Sequence, residues 1–465
     1  MSNFFRLEER NTTVKTEILA GITTFMTMAY ILFVNAGMFA ELGTVSYLAM
    51  YIATAVSACA GTIFIGLLAN LPLAQASGMG LNAFFVYTMC FGFGFTYANA
   101  LVMVLLDGIL FTLLTVTGLR SIIFNAIPKA VKMAIPAGIG LFIAYIGLQS
   151  AGIIVASAST ASTMASFNIF TGTATWASIM PLIVTFITIL IIAVLTAKNT
   201  KGAILIGIFI GSLLYYAFGF TIPGFYDGFA ASLSFNPIPA FQAFSTEAFA
   251  TVFKSGFDFS AYIAAHGETN FYLTLIVSMI AFCLVDMFDT MGTLYGACAR
   301  GGLVDSEGNV VNLEKAMLSD ALATIFGAIC GTSTVTTFVE SSAGVAEGGR
   351  TGLAAITTAV LFFIAMFFAP IASLIPGAAT AAALIYVGSL MILTIKDITW
   401  EDAEIAIPAF LTIAMMAFSY SISNGIGVGV IAYTLIKLFA GKAKEINFAT
   451  WIIDILFLAM FFFSH

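Results

Sequence analysis

The feature that most limits what this chain can become is a succession of apolar stretches, each near the length that crosses a bilayer. A helix of ~20 apolar residues spans the hydrocarbon layer. Such stretches run at 17–37, 47–70, 81–96, 98–117, 128–149, 175–197 and 202–222. A second series runs at 270–291, 315–331, 339–347, 350–369, 376–395, 403–422 and 424–440, with a last apolar run at 448–463. Charged residues are 8% of the chain, against ~25% in soluble domains. There is no polar shell here to cover 46 phenylalanines. Lipid accepts that surface, and in lipid a helix satisfies its own backbone. The expected fold is an all-α polytopic membrane protein with 14 transmembrane segments.

Lysine and arginine set the orientation, because cytoplasmic loops collect them. With the N-terminus inside, Arg6, Arg10, Lys15, Arg120, Lys129, Lys132, Lys198 and Lys201 fall on the cytoplasmic side, as do Arg300, Lys315, Arg350, Lys396, Lys437, Lys442 and Lys444. Lys254, in a polar-aromatic loop at 223–269, falls outside. The layout implies a multi-pass protein of the cell (plasma) membrane with a cytoplasmic N-terminus. It does not decide whether 448–463 crosses or lies in the interface. The first sixteen residues, "MSNFFRLEERNTTVKT", lack the apolar segment and cleavage site of a signal peptide, so the first apolar run stays as a helix.

Two of the fourteen stretches, 81–96 and 339–347, are too short to span alone. Each follows sequence unlike a helix, "LPLAQASGMG" (71–80) and "TSTVTTFV" (332–339). They are the third member of each half when the fourteen divide seven and seven. Sliding the chain by 262 residues aligns "GTIFIGLLAN" (61–70) with "ATIFGAICGT" (323–332) and brings 71–77 into register with 333–339. Seven being odd, the halves have opposite orientation: 7+7 inverted repeats. Interrupted helices at matching places point to a transport site near the bilayer midplane. Extended backbone survives at that depth only inside protein or beside a polar cavity. Two such segments pairing as short strands satisfy each other, and each leads into a half-helix with free N–H groups.

An ionisable residue at a membrane helix centre costs ~2.5–3.5 kcal/mol on insertion scales, so each needs a reason. Asp286 and Asp289, in "FCLVDMFDTMGTL", are three apart and share a helix face. They read as a ligand acceptor and a proton-binding acid, or as carboxylates bonded between helices. Glu340 stands at the start of the second half-helix. Asn82, in "GMGLNAFFVY", holds the matching place in the first, where it binds a ligand or caps the helix. Gly78 and Gly80 permit close backbone approach, to a ligand or to a packed helix. Asp320 reads as a first-turn acid near a cytoplasmic end, and Asp454 as the mark of an interfacial turn. Asp107 interrupts "LVMVLLDGILFTLL" without an evident partner.

Other chemistries find little support. Five scattered cysteines form no CxxC pair, and two histidines, His266 and His465, are too few for a histidine-based metal site or triad. No metal or cofactor is expected. The net charge of −7 includes no basic patch for nucleic acid. An intramembrane enzyme using Asp286 and Asp289 lacks any accompanying GxGD-like or HExxH motif. A sulfate or bicarbonate transporter favours an uncompensated positive site, whereas acids gather here. A passive channel differs from a symporter in lacking proton-dependent accumulation.

The stretches "GITTFMTMAYILFVNAG", "GMGLNAFF", "DMFDTMGTL", "DALATIFGAICGTSTVTTFVESSAGVAEGGRTGL" and "IPAFLTIAMMAFSYSISNGIGVG" resemble the AzgA-like branch of the nucleobase–cation symporters (nucleobase–ascorbate transporter superfamily). These are adenine/guanine/hypoxanthine permeases. The resemblance implies a core domain from 1–120 (spans 1–4) and 270–370 (spans 8–11). It implies a gate domain from 121–222 (spans 5–7) and 371–465 (spans 12–14 and the C-terminal segment), with 223–269 an extracellular loop and the core moving elevator-like against the gate. Asn82, Asp286 and Glu340 match the family's binding positions, and Asp289 an acid linked to transport. A 6-oxopurine fits such a site: Asp286 and Glu340 accept its N–H groups, and backbone N–H around Gly80 and Ser341 meets its acceptors. Accumulating a neutral base needs a coupled ion, and buried acids suit a proton. The resemblance admits a homodimer; the sequence itself does not set oligomeric state.

Overall fold

A computed structural model describes residues 2–118, 127–157, 159–227, 234–304 and 310–463. Arg120, His465, the span junction at 119–126 and part of the expected loop (228–233) lie outside them. Helix occurs in each of the fourteen expected stretches. Among the described residues, nine helices are long and apolar enough to cross a membrane by length and composition.

The first expected span is two helices, α1 (Val14–Met28) and α2 (Ile31–Ala40), divided at Ala29–Tyr30. Then follow α3 (Tyr47–Phe64), strand β1 (Gln75–Ser77) and α4 (Met79–Ala83), which widens into π-helix over Phe84–Gly92. Next come α5 (Tyr97–Thr117), α6 (Lys129–Ser150), an antiparallel hairpin β2 (Ile154–Ser157) and β3 (Ala161–Met164), α7 (Trp176–Ala197) and α8 (Ala203–Gly219). The second half holds α9 (Glu268–Arg300), α10 (Leu313–Cys330), β4 (Val335–Thr337), α11 (Ser341–Ala346) and α12 (Gly352–Ala365). It ends in α13 (Gly377–Met391), α14 (Ala403–Phe418), α15 (Ile422–Phe439) and α16 (Phe448–Phe463).

Several expectations need correction. The hairpin β2–β3 had no sequence forecast. The stretch 223–269 is no open loop, for it carries the helices Ile238–Ala243, Thr251–Lys254 and Ser260–His266. Hydrogen bonds tie it down: Ser46 N donates to Glu247 Oε2 (2.7 Å), and Asn99 Nδ2 to the carbonyls of Gly256 and Asp258 (2.8 and 2.9 Å). Phe95 stacks on Tyr262 with ring centres 4.0 Å apart, so its aromatics are packing groups. Asp454 marks no turn; it is buried inside α16, which packs on α15 and α9.

β1 and β4 pair antiparallel, Gln75 opposite Thr337, Ala76 opposite Thr336 and Ser77 opposite Val335, and all six residues are buried. Gly78 N donates to Thr334 O and Phe338 N to Ala74 O, both at 3.0 Å. A buried strand edge must still be satisfied, and hydroxyls do this. Thr62 of α3 bonds both the N–H and the C=O of Gln75 (3.0 Å each), and Thr324 of α10 donates to Val335 O (3.2 Å). The helices after the strands, beginning at Met79 and Ser341, and the threonines Thr62 and Thr324 are each 262 residues apart; the strands, beginning at Gln75 and Val335, are 260 apart.

Candidate functional site

The site is organised by the alternation of β4, whose neighbouring residues point to opposite faces. Thr336 donates to Asp289 Oδ2 of α9 (3.2 Å), while Thr337 donates to Asp320 Oδ1 of α10 (3.1 Å). Two adjacent threonines thus hold two acids on two helices.

Beside the end of β4 lies a cavity with about 410 Å³ of empty space, its mouth included. Tyr30, Met79, Gly80, Asp289, Thr293, Phe338, Val339 and Glu340 line it, with Thr337, and Val387 and Met391 of α13 close the other side. Glu340 occupies the N-cap position of α11, yet its side chain makes no capping bond. Instead the carboxylate accepts from the hydroxyl of Tyr30, at the break between α1 and α2, at 2.6 Å. Among the described residues no lysine, arginine or histidine lines this cavity, and its two carboxylates have no neutralising side chain in that lining. Gly80 brings bare backbone to the wall. A Cβ there would stand 2.7 Å from Ile139 Cγ2 of α6, so a larger residue would push the two helices apart.

Three of the residues expected at the site line this cavity: Glu340, Gly80 and Asp289. The structure does not bring Asp286, Asn82 or Ser341 to its wall. Asn82 is fully buried with its amide turned to the strands: Oδ1 accepts from Ser77 Oγ (2.9 Å) and from Ser333 Oγ, and Nδ2 donates to Ser77 O (3.3 Å). Ser341 Oγ accepts from Ala74 N (3.0 Å) and so completes the edge of β1. Asp286 is buried among carboxylates: its charged neighbours are Asp320, Asp107 and Asp289.

Asp320 is the main correction. It is no first-turn acid, for it sits in the body of α10 with no exposed surface. Gln75 Nε2 (3.1 Å), Thr337 Oγ1 (3.1 Å) and Thr290 Oγ1 (2.8 Å) all donate to it. Tyr30 and Gln75 had no sequence forecast either. The available signals were a polar handle in the middle of an apolar run and an amide inside the extended stretch.

A larger cavity lined by Phe25, Phe33, Phe209 and Leu361 is almost wholly apolar. It offers nothing to orient a polar solute. A polar cleft at Glu41, Tyr87, Gln149, Ser150 and Tyr420 lies elsewhere, with Tyr87 OH donating to Glu41 at 2.9 Å.

Helices enclosing a buried strand pair, beside an acid-lined cavity, make up the architecture of a membrane solute carrier. The transmembrane domain of the bicarbonate transporter BicA from a cyanobacterium shares this fold, at TM-score 0.61 and 14% identity over 88% of this chain and 97% of that one. SLC26A9 shares it at TM-score 0.60 and 12% identity, over 92% of this chain and 67% of that one. The chain belongs to the permease family, whose pattern it matches over residues 15–428. It is 36% identical to the guanine/hypoxanthine permease PbuG of Bacillus subtilis over 100% of both chains. It is 34% identical to the adenine permease AdeP of Escherichia coli, over 98% of this chain and 95% of that one. The family read from the sequence motifs is thereby borne out.

Proposed function

We propose that this chain imports purine nucleobases, hypoxanthine, guanine or adenine, by proton symport. The observation that carries the reading is the pair Glu340 and Asp289 facing one cavity, with bare backbone at Gly80, in a relative of named purine permeases. A 6-oxopurine presents N–H donors on both rings, and two carboxylates without a neighbouring cation suit them. Phe338 and Tyr30 offer rings to the flat base. On this reading Glu340 and Asp289 bind the base. Asn82 and Ser341 hold the strands that carry the site, and Asp286 acts from outside the cavity lining.

The architecture that goes with it is fourteen crossings in two inverted repeats, with no catalytic step. The matched roles of Thr62 and Thr324 on the two strand edges support the repeat. Core (1–120 and 270–370) and gate (121–222 and 371–465) meet at the cavity, where Val387 and Met391 of the gate face Glu340 and Asp289 of the core. That seam suits elevator-like movement. The lysine and arginine distribution favours a cytoplasmic N-terminus in the plasma membrane. An inorganic-anion carrier of the same fold is disfavoured, because two carboxylates would repel its substrate.

The test is uptake of radiolabelled hypoxanthine, guanine, adenine, xanthine and uracil into proteoliposomes, with and without an inward proton gradient. Accumulation of purines that depends on the gradient is expected. Uptake of bicarbonate or sulfate in place of purines, or equilibration without accumulation, would overturn the reading.

A further inference from the structure

Outside the lining of the base cavity, three carboxylates converge from three helices: Asp107 of α5, Asp286 of α9 and Asp320 of α10. All three have no exposed surface. Asp320 has three donors, Gln75, Thr337 and Thr290, which suits a charged acceptor. The four carboxyl oxygens of Asp107 and Asp286 and the buried hydroxyl of Thr334 have no partner in full hydrogen-bonding geometry, although Thr334 adjoins Asp107 and Asp320 adjoins Asp286. Thr334 is directed at Asp107, whose charged neighbours are Asp320 and Asp286. Asp286 faces both Asp320 and Asp107, and Asp289 stands one turn along its own helix. The Cys283 thiol adjoins Asp107 and Asp286. Among the described residues no lysine, arginine or histidine acts on any of the three. The approach of α5 to α10 is close because Gly108 follows Asp107. A Cβ at Gly108 would meet Ile325 N at 2.9 Å.

Three carboxylates so placed do not all carry charge. Like charges in a dry interior force at least one to hold a proton, as in paired acids that share one. A proton also repairs the bonding. A carboxyl O–H on Asp286 or Asp107 becomes a donor, with the Asp320 carboxylate beside it as acceptor, and the orphaned oxygens gain a partner. Among the described residues no group of three or more acids, histidines or cysteines has the geometry of a metal site, which favours a proton over a metal ion. The cluster is linked to the cavity twice. Thr337 touches both the cavity and Asp320, and α9 carries Asp289 one turn from Asp286.

We propose that Asp107, Asp286 and Asp320 form a proton-binding site distinct from the base site, and that the proton held there is the one transported. It binds to one carboxylate from water on the side where substrate enters and leaves as a proton on the other, so charge and atoms balance without a further reactant. The transport half of this inference rests on the purine-import reading; the proton-binding half does not.

Infrared titration of the purified full-length protein in lipid tests the site without substrate. A protonated-carboxyl stretch at neutral pH is expected. Part of it should vanish in Asp107→Asn and Asp286→Asn and persist in Glu340→Gln. A wild-type spectrum with no such stretch, or one unchanged in both asparagine variants, overturns the site. In proteoliposomes, Asp107→Asn should lose about tenfold or more in proton-driven hypoxanthine accumulation, the scale of an ordinary coupling between sites. Its loss of equilibrium hypoxanthine binding should be far smaller. Accumulation at the wild-type level, or accumulation driven by a sodium gradient alone, overturns the transport half. If the wild-type protein accumulates no purine, the functional reading fails while the infrared result still decides the site.

Discussion

At the first break in the helical pattern, residues 71–83, the polar side chains turn inward to the strands. The Asn82 amide serves Ser77 and Ser333, and the wall of the cavity receives only Met79 and the backbone of Gly80. The helix beyond continues as an apolar segment, Met79–Gly92. At the second break, residues 332–346, Ser333 and Ser341 likewise serve the strands, but Glu340 turns outward. Glu340 leaves its cap position unused and meets Tyr30, and α11 stops after six residues. The two breaks share a backbone plan, with edge threonines at matching positions, but divide the chemistry. Both supply rigidity, and the second alone supplies charge. A repeated scaffold can therefore hold an asymmetric ligand without symmetric side chains.

The harshest way to break this comparison is Glu340→Gln. If the second break carries recognition, losing a charged hydrogen bond costs ~1.5–3 kcal/mol of binding, or roughly 10- to 150-fold in hypoxanthine affinity. Equilibrium binding to the purified, monodisperse variant measures it. An unchanged affinity would remove Glu340 from the site and erase the contrast between the breaks.

Asn82→Ala probes the other side. Removing the amide leaves the Ser77 and Ser333 hydroxyls without their shared acceptor in a buried place, at a cost of ~1–3 kcal/mol in stability. Thermal unfolding in lipid or detergent should therefore change more than hypoxanthine binding per folded molecule. A variant of native stability with strongly weakened binding would move Asn82 to the cavity.

The strand pair and Glu340 were legible because extended backbone at membrane depth has few solutions, and an acid beside it few reasons. Asp320 was not. Gln75, which completes its environment, lies 245 residues away, and nothing in an apolar run foretells that meeting. The same limit applies to Asp286 and Asp289. Three residues along a helix leave about 60° between side chains, enough for one acid to face the cavity and the other the buried cluster. Periodicity alone does not say which. The stretch 223–269 misled for another reason: its polar and aromatic mixture resembles a loop, but the aromatics pack and the polar groups tie it to α3 and α5.

The smallest expected effect belongs to Tyr30→Phe, and it sharpens the contrast most. Tyr30 lies in the break between α1 and α2, and its hydroxyl donates to Glu340 Oε1 at 2.6 Å. No equivalent bond exists at Gly80, so the change touches the second break alone. Phenylalanine keeps the ring and its packing and removes one donor from an acid that faces the cavity. The lost bond positions Glu340, while the bond from the base to the carboxylate survives. Affinity for hypoxanthine should fall by ~0.5–1.5 kcal/mol, or roughly two- to thirteenfold, less than in Glu340→Gln. Combined with Glu340→Gln, Tyr30→Phe should add little, because its partner is already altered. Full additivity in that double-mutant cycle would mean that Tyr30 meets the base directly and that the first helix pair, too, belongs to the recognition surface.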